Sequence, residues 1–174
     1  WDEMAPDLPL PKMPAIFGLD VAGEVVRTGE RVRDFKPGDR VYVNPLRVCG
    51  SCSACRNGHT LNCERMILNG YFGIKPESAT LFEDYPYGGY AEYLPAPQES
   101  LVRIPENLDF PVAARLGYLG TAYRALKRGN AGPGKTVMIN GITGTLGLGA
   151  VALSLALGVR QILGTARDES LFER

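Results

Sequence analysis

The sequence has no surplus of either charge: Lys and Arg number 19, and Asp and Glu also number 19. Nucleic acids and anionic membranes are recognised through a basic excess, so neither partner is expected. No apolar run reaches the roughly 18–20 residues of a membrane span. The longest, residues 146–159, is broken by Gly and Ser. There is no leader-like segment, no internal repeat and no low-complexity tract. The chain opens on Trp1 rather than Met, so the natural N-terminus is expected upstream. Together these absences leave a small-molecule substrate and a cytoplasmic location as the expectation.

What is present is an ordinary globular composition, 45% apolar over 174 residues, with 21 Gly and 13 Pro. That length suits one domain or slightly more. The four cysteines are all in one place: Cys49, Cys52, Cys55 and Cys63, spaced C-x2-C-x2-C-x7-C. Four thiolates this close can surround one tetrahedral Zn²⁺ with Zn–S bonds of about 2.3 Å. Gly50, Ser51, Ser53, Ala54, Asn57 and Gly58 lie among them and let the backbone wrap around a metal. A full sulfur shell leaves no open coordination position, so the expected zinc is structural. The alternatives are two disulfides or free thiols, and clustered disulfides suit a cytosolic chain poorly. His59 falls within the loop but is expected at the surface, because four sulfurs already complete the shell.

Residues 1–15 carry four prolines and should be extended. Residues 18–27 read as a strand. Phe35-Lys36-Pro37-Gly38-Asp39 is a turn signal, and residues 40–43 follow as a strand. Residues 64–89 read as loop. Residues 88–94 read as a turn into a strand, and 101–105 as a short strand stopped by Pro105. Asp109 resembles the N-cap of a helix running to Lys127, with Pro111 in its first turn. Residues 129–134 are a Gly/Pro linker.

After the linker the pattern changes. Thr136-Val137-Met138-Ile139 is a continuous apolar run, as in a buried parallel strand. Gly141, Gly144 and Gly147 follow as G-x-x-G-x-x-G. Residues 145–158 have helical length, 161–165 read as a second strand, and Asp168 could cap a further helix. Between a strand and a helix, such glycines let the backbone approach a pyrophosphate while the helix N-terminus offers free N–H groups. On that reading Gly141, Thr143, Gly144, Thr145, Leu146, Gly147, Thr165 and Arg167 line a dinucleotide site. A tight turn with no ligand is the alternative. NAD sites usually place a carboxylate at the end of the second strand to hold the ribose 2′-OH. Here that place reads Gly164-Thr165-Ala166-Arg167. Arg167 can pair with a 2′-phosphate, which favours NADP(H) over NAD(H).

In this order, Gly18-Leu19-Asp20-Val21-Ala22-Gly23-Glu24-Val25, Gly38-Asp39-Arg40-Val41, the cysteine lobe, Gly88-Gly89-Tyr90-Ala91-Glu92-Tyr93 and Asn140–Gly147 resemble the medium-chain dehydrogenase/reductase family. That family includes zinc alcohol dehydrogenases and quinone oxidoreductases. The resemblance covers about residues 14–167. It implies an α/β plus mostly-β fold: a β-rich GroES-like catalytic domain, then the start of a Rossmann doubly wound parallel sheet. The implied boundaries are 1–128 for the catalytic domain, with a structural-zinc lobe at 46–66 and a connecting helix at about 109–127, and 129–174 for the first half of the Rossmann domain. It also implies a chain truncated at both ends, inactive on its own, from a protein that assembles as a homodimer or homotetramer.

Two departures bear on function. Zinc alcohol dehydrogenases hold a second, catalytic zinc through the His of a Gly-His-Glu motif and a Cys four residues before a helical Thr. Here those positions are Leu19 and, if Thr121 is that Thr, Gly117; neither can bind metal. The resemblance therefore implies an NADPH-dependent oxidoreductase without catalytic zinc, acting on a carbonyl, quinone or activated alkene. A zinc alcohol dehydrogenase with atypical ligands and a catalytically inactive nucleotide-binding relative are the alternatives. Thr121 resembles the family residue near the nicotinamide, though a helical Thr can also bond back to its own helix. Asp20 and Thr121 are the catalytic candidates. Tyr42, Tyr71 and Tyr118 are possible proton donors that the sequence does not rank.

Overall fold

A computed structural model describes residues 8–167, so the expected cap at Asp168 lies outside the described residues. The chain forms two compact units that divide between Ala114 and Arg115. In chain order the first unit contains β1 (Val21–Glu24), β2 (Arg40–Val43), β3 (Leu46–Arg47), α1 (Ser53–Arg56), β4 (Ile67–Leu68), β5 (Phe72–Gly73), α2 (Leu81–Asp84), β6 (Leu101–Arg103) and α3 (Phe110–Ala113). Among the described residues no helix is long and apolar enough to cross a membrane.

The first sheet has the order β1-β2-β6 and is antiparallel throughout, with Val21 opposite Val43 and Tyr42 opposite Val102. Val41, Tyr42, Ile104 and Ala113 are buried core residues of this unit. Phe35–Asp39 forms the expected turn. The Val25 N–H donates to the Asp39 carbonyl and the Gly38 N–H to the Val25 carbonyl, both at 2.9 Å. Asp39 Oδ2 accepts the Lys36 N–H at 3.1 Å, and Arg103 donates to the same oxygen at 3.1 Å. Arg40 reaches back from β2 and donates to the carbonyls of Pro105, Glu106 and Leu108, with its guanidinium 4.4 Å from the Phe110 ring centroid.

Three sequence expectations are corrected in this unit. The strand expected over 18–27 is confined to Val21–Glu24, because Gly18 turns at φ +111° and its N–H goes to Gly70 instead of a neighbouring strand. Residues 88–94 form no strand. The N–H groups of Gly88, Gly89 and Tyr90 donate to Ile16, Gly18 and Phe17, out of ladder order. Residues 64–89 are more than loop: β4 and β5 pair with β3 in a second antiparallel sheet, β3-β4-β5. Strands two residues long carry too little alternation to be read from sequence.

The second unit contains α4 (Leu116–Arg128), β7 (Thr136–Asn140), α5 (Thr145–Ala156) and β8 (Gln161–Thr165). A continuous helix over 109–127 does not form. Asp109 takes the N-cap position of α3, with extended φ −65° and ψ 144°, but caps through its carbonyl alone. At Arg115 the backbone opens to φ −86°, ψ 1°, and the ladder restarts as Tyr118 and Leu119 donate to its carbonyl. The strand–turn–helix–strand unit forms as expected. β7 and β8 pair in parallel from Thr136–Gln161 to Asn140–Thr165. The helix expected over 145–158 ends at Ala156. Gly158 takes φ +72° and donates to Leu155, while Val159 donates to Ser154, a Schellman closure.

Candidate metal centre and nucleotide turn

The cysteine lobe hangs between β3 and β4. Cys49 leads into a turn at Gly50, whose φ of +69° favours glycine, and α1 carries Cys55 on its single turn. The four Sγ atoms lie within 4.8 Å of one another. Cys49 and Cys63 Sγ are 3.6 Å apart, far beyond a disulfide bond of about 2.05 Å. All four cysteines are free. Tetrahedral sulfurs at about 2.3 Å from a zinc stand about 3.8 Å from each other, so this donor set fits the ion without rearranging the backbone. The lobe is preset for anionic sulfur. Backbone N–H groups of Cys49 and Cys52 donate to Cys63 and Cys49 Sγ, each at 3.4 Å.

Hydrogen bonding and burial move these thiols in opposite directions. Burial pushes Cys49 up, but donors from Ser51, Cys52 and Cys63 outweigh it and hold the thiol down at about 5. N–H groups of Cys55 and Glu64 lower Cys52. Cys55 is pushed up to about 12, chiefly by burial and then by its Cys52 and Cys63 neighbours. His59 is exposed and donates its backbone N–H to Ala54. Residue spacing gives no sign of Ser51 or Arg65, yet Ser51 Oγ lies 3.7 Å from Cys49 Sγ and accepts Arg65 Nη2 at 2.8 Å.

In the second unit the glycine turn sits between β7 and α5. Gly141 takes φ +77°, and the N–H groups of Gly141 and Ile142 donate to the Thr165 carbonyl at 2.8 and 3.0 Å. The turn is thereby fastened to the end of β8. Thr165 Oγ1 bonds Asn140 Oδ1 across the strand ends. A Cβ on Gly147 would lie 2.3 Å from the Gly141 carbonyl oxygen, so only glycine lets α5 start this close to the turn. The first-turn N–H groups at Thr145, Leu146 and Gly147 lack partners within a helix of this geometry. They form a cradle of the kind that holds a phosphate. Thr121, Leu146, Gly147 and Asn140 line one cleft of about 430 Å³ among α4, β7 and α5. Thr143 belongs to the turn itself, and Arg167 is exposed two residues past β8.

The remaining candidates are placed as follows. Thr121 Oγ1 donates to the Gly117 carbonyl at 3.0 Å, the back-bonded arrangement within α4. In the first unit Tyr42 is buried; burial, and then the charge of Asp20, push its hydroxyl above the ordinary tyrosine range. Tyr71 packs its ring 4.7 Å from Phe72. Tyr118 lies under the Arg115 guanidinium at 5.1 Å in the second unit.

Residues 2–106 match the family described as the alcohol dehydrogenase GroES-like domain, and the chain belongs to that family. Among curated relatives, an alcohol dehydrogenase of Geobacillus stearothermophilus is 38% identical over 163 residues, 92% of this chain and 44% of the relative. An acryloyl-coenzyme A reductase of Metallosphaera sedula is 30% identical over 162 residues, covering 92% and 45%. The crystal structure of an NAD-dependent alcohol dehydrogenase superposes with a TM-score of 0.78 at 30% identity, over 95% of this chain and 44% of that one. The chain therefore spans less than half the length of the relatives it matches. These likenesses support the expected fold class, a GroES-like unit followed by the beginning of a Rossmann sheet.

Proposed function

We propose that this protein is an NADPH-dependent oxidoreductase that acts on a carbonyl, quinone or activated alkene without a catalytic zinc, and that Cys49, Cys52, Cys55 and Cys63 hold one structural zinc. The observation that carries the hydride reading is the strand–glycine turn–helix in which Gly147 packs on Gly141 and leaves the first-turn N–H groups of α5 open. When bound, a nicotinamide supplies hydride from C4. The chain's own part is to hold it. The N–H groups of Thr145, Leu146 and Gly147 cradle the pyrophosphate beside Gly144, Thr165 and Asn140 border the ribose, and Arg167 pairs with a 2′-phosphate. Thr121 packs beside the nicotinamide through its methyl group, since its hydroxyl bonds Gly117.

The zinc-free reading rests on Leu19 and Gly117, an alkyl side chain and a bare backbone where the family places its metal ligands. A substrate without Lewis-acid help must already be a good hydride acceptor. The acryloyl-coenzyme A reductase relative is named for such an alkene. Asp20, whose charge acts on Tyr42, is the candidate for proton relay in the first unit. A homodimer or homotetramer is part of the same reading.

Elemental analysis and fluorescence titration test the proposal together. One zinc per chain, tighter binding of NADPH than NADH and loss of that preference in Arg167→Gln are expected. Two zincs would return the reading to a zinc alcohol dehydrogenase. A preference for NADH would remove Arg167 from the site. Binding of NADPH without turnover on any quinone, enone or aldehyde would mark an inactive relative.

A further inference from the structure

We propose that Arg65 and Ser51 form a hydrogen-bond relay to the Cys49 sulfur that sets the zinc affinity of the cysteine lobe. This inference rests on the structural-zinc reading above. The relay is written in three atoms: Arg65 Nη2 donates to Ser51 Oγ at 2.8 Å, and Ser51 Oγ donates to Cys49 Sγ at 3.7 Å. Arg65 has no acceptor lone pair, so the direction of the first bond is fixed. A hydroxyl that accepts from a cation donates more strongly through its own proton, so the second bond is reinforced by the first.

The charge balance explains why such a relay is useful. Four thiolates around Zn²⁺ carry a net charge of about −2. The cleft beside Cys52 is lined by Glu64, Arg65, Lys75 and Glu77, two acids and two bases that nearly cancel at a distance. Only a directed bond delivers one of those positive charges to a particular sulfur. Arg65 is half-buried, two residues beyond Cys63, and is held within reach of Ser51 in the turn between Cys49 and Cys52. Arg65 and Ser51 are positioning residues; the zinc ligands remain the four sulfurs. Partners of this kind commonly change metal affinity by about 10–100-fold.

The test is competition for zinc between the full chain and a chromophoric chelator at fixed pH, with cobalt(II) absorbance as a second readout. Ser51→Ala and Arg65→Met should each weaken zinc binding about tenfold. Ser51→Thr should keep the wild-type affinity, because it keeps the hydroxyl. The double variant should be no weaker than Ser51→Ala alone, since Arg65 acts through Ser51. Lys75→Met removes an equal charge from the same cleft and should change nothing. The sulfur-to-cobalt charge-transfer band should move to lower energy in Ser51→Ala and Arg65→Met. A purely structural effect would leave that band in place and overturn the inference. So would losses that multiply in the double variant, or a Lys75→Met chain as weak as Arg65→Met. A wild-type chain that takes up no zinc would defeat the metal reading itself, a result distinguishable from all of these.

Discussion

Gly147 packs so closely on Gly141 that a Cβ at position 147 would stand 2.3 Å from the carbonyl oxygen of residue 141. Two expectations for Gly147→Ala therefore oppose each other. Helix propensity favours alanine over glycine by about 0.8–1 kcal/mol. Overpacking costs about 1–3 kcal/mol, and here the atom in the way is backbone and cannot rotate aside. The substitution should lower stability and weaken nucleotide binding, read by denaturant unfolding and fluorescence titration. A more stable Gly147→Ala chain would show that the turn yields.

Removal of zinc should loosen the first unit. Its lobe buries Cys63 but no large apolar cluster, so little besides the metal would hold the loop. Chelator treatment, or Cys63→Ser, should lower the melting temperature and admit thiol reagents to all four cysteines. Identical melting with and without chelator would show that the lobe stands on its hydrogen bonds alone.

Acid should weaken the Lys36–Asp39 turn. The Asp39 carboxyl is held below its ordinary value of 3.8: the Lys36 N–H lowers it most, burial opposes, and Arg103 adds to the lowering. A carboxyl lowered by folding stabilises the fold above its unfolded pKa, and loses that contribution as pH falls through its folded pKa. Asp39→Asn should therefore flatten the stability profile below about pH 4, with the wild-type advantage surviving at neutral pH. A profile of the same shape for both proteins would refute this. Its partner Arg103 is exposed, so the difference should also shrink with added salt.

Arg40 joins β2 to the segment entering α3 through three carbonyl acceptors and the Phe110 ring. Arg40→Met keeps the stem but leaves those carbonyls to water. It should cost about 1–3 kcal/mol by chemical denaturation. Arg40→Lys should recover only part of the loss, because an ammonium cannot fork across three acceptors while lying flat on the ring. Full rescue by lysine would reduce the role to charge.

The sequence was most legible where spacing maps directly onto geometry. C-x2-C-x2-C-x7-C brings four sulfurs together because a short loop can hardly do otherwise, and G-x-x-G-x-x-G between two apolar runs dictates a strand, a turn and a helix. β8 was recovered to the residue, Gln161–Thr165, since Gly158 and Val159 close the preceding helix sharply. Elsewhere, distant partners decided. Gly88–Tyr90 alternates like a strand but spends its N–H groups on residues 16–18. The break at Arg115 falls within Ala113-Ala114-Arg115-Leu116, four residues that all favour a helix. Ser51 and Arg65 are separated by 14 positions and look like ordinary surface polar residues until the loop folds. The candidate site was thus readable in its ligands and unreadable in what surrounds them.

The distance along the chain between partners also sets a timetable. Cys49 and Cys63 meet across 14 positions, whereas the β2–β6 pairing must bring Tyr42 to Val102. Closing a longer loop costs more entropy, and non-local pairings slow folding. The lobe should therefore assemble early, as a knot already tied when the first sheet is still searching for its third strand. Zinc present during refolding should then speed the appearance of native sheet, while zinc added afterwards should not; equal rates would mean the sheet forms without waiting for the knot.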